Sequence, residues 1–105
     1  MSSQVSVAVA QINCTVGDLE GNSRRIVEAA RRAAALRADI LLTPELSLTG
    51  YPPEDLLLRR AFYGAVDDAL ARLAAQLLQF PELRVIVGHP LAREGQRFNA
   101  ASLLQ

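Results

Sequence analysis

An α/β fold with parallel strands is what the order of patterns along this chain predicts. Three observations carry the reading. Short runs rich in valine, isoleucine and leucine stand at residues 4–13, 40–43 and 84–88 and have the length of strands. Stretches of helical period, rich in alanine, leucine and arginine, stand between them at residues 23–37 and 56–79. Strand, helix and strand in that order give a right-handed crossover and parallel neighbours.

Taken in order, residues 4–13 read QVSVAVAQIN, with Val5, Val7 and Val9 on one side and Ala8 and Ala10 on the other. Both sides are apolar, which predicts a strand buried on both faces. Residues 14–21, CTVGDLEG, have turn chemistry, and Asn22 is a suitable N-cap for the helix that follows. In that helix Ile26, Ala30, Ala33 and Ala34 share a stripe that Val27 widens, while Glu28 stands one turn from Arg31 and Arg32. The second strand ends at Pro44, which has no N–H for a ladder. Glu54 and Asp55 favour a helix start through the macrodipole. Phe62, Val66, Ala69, Leu73 and Leu77 then step along one face, with Gly64 as a weak point where two helices could meet. The third strand, RVIVG, is closed by His89 and Pro90; Glu94 to Gln96 make a hairpin-like turn, and residues 97–105 start a fourth strand.

Composition bounds the function. The chain has 105 residues, one domain's worth or less, of which half are hydrophobic and 21% charged. A chain of this size can bury roughly 65% of its unfolded surface, so a core is permitted. Eleven basic residues, all arginine, balance eleven acidic ones. At zero net charge the arginines of the first helix read as a solvated face, and neither nucleic acid nor an anionic membrane is an expected partner. One cysteine, Cys14, excludes an internal disulfide and fits a reducing, cytoplasmic setting. One histidine, His89, leaves no His/Cys cluster for a metal. The start lacks the basic region of a secretory signal, and no run approaches the ~20 apolar residues that span a bilayer.

The chemistry concentrates at residues 41–59, LLTPELSLTGYPPEDLLLR. Glu45 stands at the mouth of an apolar strand, where partial desolvation would suit a carboxylate to general-base work; a solvated loop or capping carboxylate is the alternative. Gly50, Pro52 and Pro53 make a stiff loop at the carboxyl end of a parallel strand, where open α/β sheets place their ligands. Tyr51 rides on that loop, with a ring to pack and a hydroxyl to offer. His89 at a strand end is either catalytic or a hydrogen-bonded structural residue.

Together these residues carry a resemblance. The Pro44-Glu45 pair after an apolar strand, with a QIN first strand and a GDLEGN turn upstream, resembles the nitrilase, or carbon–nitrogen hydrolase, superfamily. The longer string TPELSLTGYPPEDLLLR is similar to the glutaminase domains of glutamine-dependent NAD synthetases, and VIVGHP and FNAASLL follow in the expected order. The resemblance implies an αββα sandwich, formed on dimerisation, with strands covered by helices. It also implies a Glu-Lys-Cys triad in which Glu45 is the general base, and a glutamine pocket that Tyr51 lines and gates. Ammonia released from glutamine would amidate deamido-NAD in a separate synthetase domain that uses ATP and Mg²⁺; no cofactor is expected on this stretch itself.

The chain departs from that pattern in two ways. It contains no lysine, and Cys14, its only cysteine, ends the first strand instead of following the triad lysine. Residues 1–105 therefore read as the N-terminal portion of such a domain, inactive alone. The alternatives are another nitrilase-like amidase, or a non-catalytic interaction module with an exposed sheet edge.

Overall fold

The computed structural model describes residues 4–52 and 54–105, and of Glu54 and Asp55 the backbone alone. Four strands form one sheet: β1 (Val7–Val9), β2 (Ile40–Leu42), β3 (Arg84–Arg93) and β4 (Gln96–Leu104). Their spatial order is their chain order; β1, β2 and β3 are parallel, and β4 returns antiparallel to β3. Helix α1 (Leu19–Ala35) connects β1 to β2, and α2 (Arg60–Leu77) precedes β3.

Both helices lie on one side of the sheet. Ile26, Ala30 and Ala33 of α1 and Val66, Ala69, Leu73 and Leu77 of α2 are buried with Leu41, Val85 and Val87. The alanine stripe of α1 lets the two helices approach closely over the strands. The α2 stripe is as the periodicity predicts, except that Tyr63 is buried at its start and Phe62 only partly. The Tyr63 hydroxyl donates to the Leu57 carbonyl at 2.9 Å, which ties the helix to the 3₁₀ turn Glu54–Leu58 before it.

Four expectations need correction. The first strand is three residues long and buried on one side only: Val7 and Val9 point away from the helices, and Val9 is 67% exposed. Asn22 is not the N-cap of α1. Asp18 caps it, accepting from the Gly21 N–H at 2.9 Å, and the helix begins at Leu19. Asn22 is instead fully buried inside the first turns. The break in the second helical run falls at Arg59 and not at Gly64, which sits exposed within α2 and meets nothing. Finally, β3 does not close at His89 and Pro90 but runs on to Arg93.

Proline is tolerated there for a geometric reason. Ile86 and Gly88 direct their carbonyls toward the β2 side, where they accept from Thr43 and Leu48. Pro90, two residues on, faces the same way, beyond the end of β2, so its missing N–H leaves no ladder bond unmade. The hairpin turn is as expected, with Glu94 and Gly95 both at positive φ, 52° and 78°, the pairing that matches strand twist. Pro53 lies outside the described residues, as do the side chains of Glu54 and Asp55; the backbone of those two opens the 3₁₀ turn Glu54–Leu58, where a helix start was expected.

Candidate active site

The site is built from the turn that follows β2. Thr43 ends the strand by making two bonds to one carbonyl, its N–H at 3.1 Å and its hydroxyl at 2.8 Å from Ile86 O. With the Thr43 proton so used, the Ser47 hydroxyl donates back to Thr43 Oγ1 at 2.6 Å. Pro44 O accepts from Ser47 N–H, Leu46 O accepts from Thr49 and Gly50, and Leu48 N–H donates to Gly88 O at 3.1 Å. Leu46 adopts a positive φ of 52° to make this tight turn, and its side chain is buried.

Two glycines and one asparagine hold the turn in place. A Cβ on Gly88 would lie 2.5 Å from Leu46 N and 2.9 Å from Pro44 O, so only glycine lets the turn rest on β3. Gly50, at φ 79°, presses against the backbone of Thr15 and Val16 in the same way. Asn22 joins these two segments. Its amide donates to Thr15 O at 2.8 Å and Leu48 O at 3.0 Å, and its oxygen accepts from Thr15 N–H at 2.8 Å. A buried amide with its capacity met by backbone groups rigidifies what it touches.

Glu45 stands on this base with its side chain exposed. The expected partial desolvation is absent: Leu46 and Leu48 turn inward, which sends Glu45 outward, and no described element covers it. The carboxylate reaches across β3 to β4, where Asn99 Nδ2 donates to its Oε1 at 2.8 Å. Among the described residues, Oε2 accepts no hydrogen bond and no arginine pairs with the group; the ion pair found is Arg31 with Glu28, at 3.4 Å. Asn99 was not singled out from the sequence. It lies far from Glu45 along the chain, and only the β3–β4 register brings it close.

The other candidates are less engaged. Tyr51 follows on the same loop, before a cis Pro52 peptide bond, and is 65% exposed. Burial pushes the Cys14 thiol up from its ordinary value, with the Arg25 charge pulling the other way; that is the setting of an inert cysteine, not of a thiolate nucleophile. His89 is buried, with Nδ1 donating to Pro90 O at 3.1 Å and Nε2 2.7 Å from Ser102 Oγ. Both ring nitrogens are used inside the fold, on the helix side of the sheet, which is the structural role. An open groove of about 470 Å³ lined by Ile12, Asn13, Thr43 and Pro44, among others, runs beside the base of the turn. Among the described residues no three His, Cys, Asp or Glu side chains converge to hold a metal, and no helix is long and apolar enough to cross a membrane.

The arrangement supplies one clamped carboxylate able to take a proton. The family's other two triad members are not beside it: the chain has no lysine, and its one thiol, Cys14, is free but half-buried, with burial pushing it up from its ordinary value.

Comparison with known proteins places this geometry. A glutamine-dependent NAD(+) synthetase of Synechocystis is 41% identical over 107 residues, covering 95% of this chain and 19% of that protein. The crystal structure of a glutamine-dependent NAD(+) synthetase from Cytophaga hutchinsonii superposes with a TM-score of 0.88 at 29% identity, over 98% of this chain and 17% of that one. An amidase from Nesterenkonia superposes with a TM-score of 0.75 at 26% identity, over 94% of this chain and 37% of that one. The chain thus spans about a fifth of the synthetases it matches. Residues 6–104, nearly the whole chain, match the carbon–nitrogen hydrolase family, and the chain belongs to that family.

Proposed function

We propose that this chain is the N-terminal part of the glutaminase domain of a glutamine-dependent NAD synthetase, and that Glu45 is the general base of that domain. The observation that carries the reading is the placement of Glu45. A carboxylate stands at the carboxyl end of a parallel strand, on a turn locked to β3 and α1, in a chain 41% identical to one such synthetase. In the reaction, Glu45 takes the proton of a cysteine thiol supplied from outside these residues. The thiolate attacks the side-chain amide carbon of glutamine, and ammonia leaves with the proton. Glu45 then takes a proton from the water that cleaves the thioester to glutamate. A lysine, also from outside these residues, stabilises the oxyanion. Tyr51, exposed on the same loop, lines the glutamine pocket. Deamido-NAD, ATP and Mg²⁺ belong in this reading to a synthetase part; the described residues offer no converging donors for the ion.

The test uses the full-length protein that carries this chain. Glu45→Gln abolishes glutamine-dependent NAD synthesis and leaves ammonia-dependent synthesis intact; equal loss of both contradicts the assignment. The 105-residue chain alone is expected to show no glutaminase turnover above buffer, and measurable turnover would overturn the reading of it as a part of the domain. A second reading, a simpler amidase, has the Nesterenkonia superposition in its favour. Amide hydrolysis with no NAD synthesis from either nitrogen source would establish it.

A further inference from the structure

We propose that Asn99 is a positioning residue for the Glu45 carboxylate, an inference that rests on the reading of Glu45 as general base. The two side chains are 54 residues apart along the chain and meet at 2.8 Å between Asn99 Nδ2 and Glu45 Oε1. A carboxylate accepts only, so the amide presents its N–H and the orientation of Asn99 is fixed by chemistry.

Three features of the fold make the meeting specific. Asn99 pairs with Pro90 in the β3–β4 register and therefore shares its face of the sheet, the face also occupied by Gly88. Gly88 has no side chain there, and the 44–46 backbone lies directly over it, so nothing stands between the turn and β4. The Glu94–Gly95 turn, with both residues at positive φ, sets the register that puts Asn99 and not its neighbour at this point.

The chemistry of the partner matters as much as its place. Eight of the chain's eleven arginines lie beyond residue 31, and Arg97 stands two positions from Asn99 on the same strand, its guanidinium 5.8 Å from the Tyr63 ring centroid. An arginine on Glu45 would hold it as an ion pair and weaken it as a base. A neutral amide fixes Oε1 and the rotamer without placing a positive charge beside the carboxylate. Oε2 is left to face the thiol and then the water.

The experiment compares Glu45→Gln, Asn99→Ala and Asn99→Asp in the full-length protein, reading kcat and KM for glutamine and the ammonia-dependent rate. Asn99→Ala lowers the glutamine kcat about 10–100-fold, the scale of a misplaced reacting group, with KM within about twofold and the ammonia-dependent rate unchanged. Asn99→Asp has nearly the same shape, so a packing role predicts that it is tolerated. A positioning role predicts a loss at least as large as with alanine, because a second carboxylate cannot donate and repels the first. Glu45→Gln inactive toward glutamine, with both Asn99 variants at wild-type kcat, overturns this inference alone. A raised KM at unchanged kcat also overturns it, since it assigns Asn99 to substrate binding. Glutamine-dependent activity retained by Glu45→Gln overturns the general-base reading, and this inference with it.

Discussion

Residues 46–50 and their neighbours Glu45 and Tyr51 belong to one loop and live in opposite surroundings. From Leu46 to Gly50 every residue is buried, with backbone groups bonded to β3, to the 15–17 segment and to Asn22. Glu45 and Tyr51, on either side, are exposed. The difference shows how an exposed group comes to be held precisely. A carboxylate on a surface loop has free rotamers and a mobile backbone; here the backbone is fixed from beneath by packing, and the rotamer is fixed at the far end by Asn99. Stability and chemistry are thereby assigned to adjacent residues that do not share a task.

Substitutions can break that division. Leu48→Ala removes a fully buried side chain at the centre of the anchored half and is expected to cost about 2–5 kcal/mol in urea unfolding. Gly88→Ala forces a methyl against Leu46 N and Pro44 O and is expected to cost about 3 kcal/mol, the upper end for overpacking, because backbone and not a flexible side chain is in the way. Asn22→Ala leaves Thr15 and Leu48 backbone groups unpaired in the interior, for about 1–3 kcal/mol. Glu45→Gln, on the exposed half, is expected to change stability by less than about 0.5 kcal/mol, although it removes the proposed base. If Glu45→Gln destabilised the chain as much as Asn22→Ala, the carboxylate would be part of the scaffold and the contrast between the two halves would fail.

Much of this architecture was legible in the residues. The stripe at Val66, Ala69, Leu73 and Leu77 has a helical period that tertiary contacts had no reason to override. The 40–42 run and the Glu94–Gly95 turn likewise carry their structure locally. The errors fall where a distant partner decides. Asp18 and Asn22 are both good capping residues, and sequence alone offered no way to choose. The choice is made by Thr15 and Leu48, which need the Asn22 amide inside. Val7 and Val9 are as apolar as a strand covered on both faces requires, yet neither helix reaches their side of the sheet. Pro90 looked like a strand end, and it is not one because β2 stops before the position its N–H would have served. Glu45 stood out by its position after β2, whereas Asn99 did not, because an asparagine in a strand signals nothing until the register is known.

The β3–β4 hairpin also works as a ruler. Strand residues alternate faces, so the distance from the turn to position 99 has a parity. One residue added between Gly95 and Asn99 would swing the amide to the helix side of the sheet, out of reach of Glu45. Two residues added would restore the face but carry it about 7 Å along the strand. Among related chains, the length of this short segment is therefore as informative as the identity of the asparagine, and a gap of one there would mark a protein that must hold its carboxylate by other means.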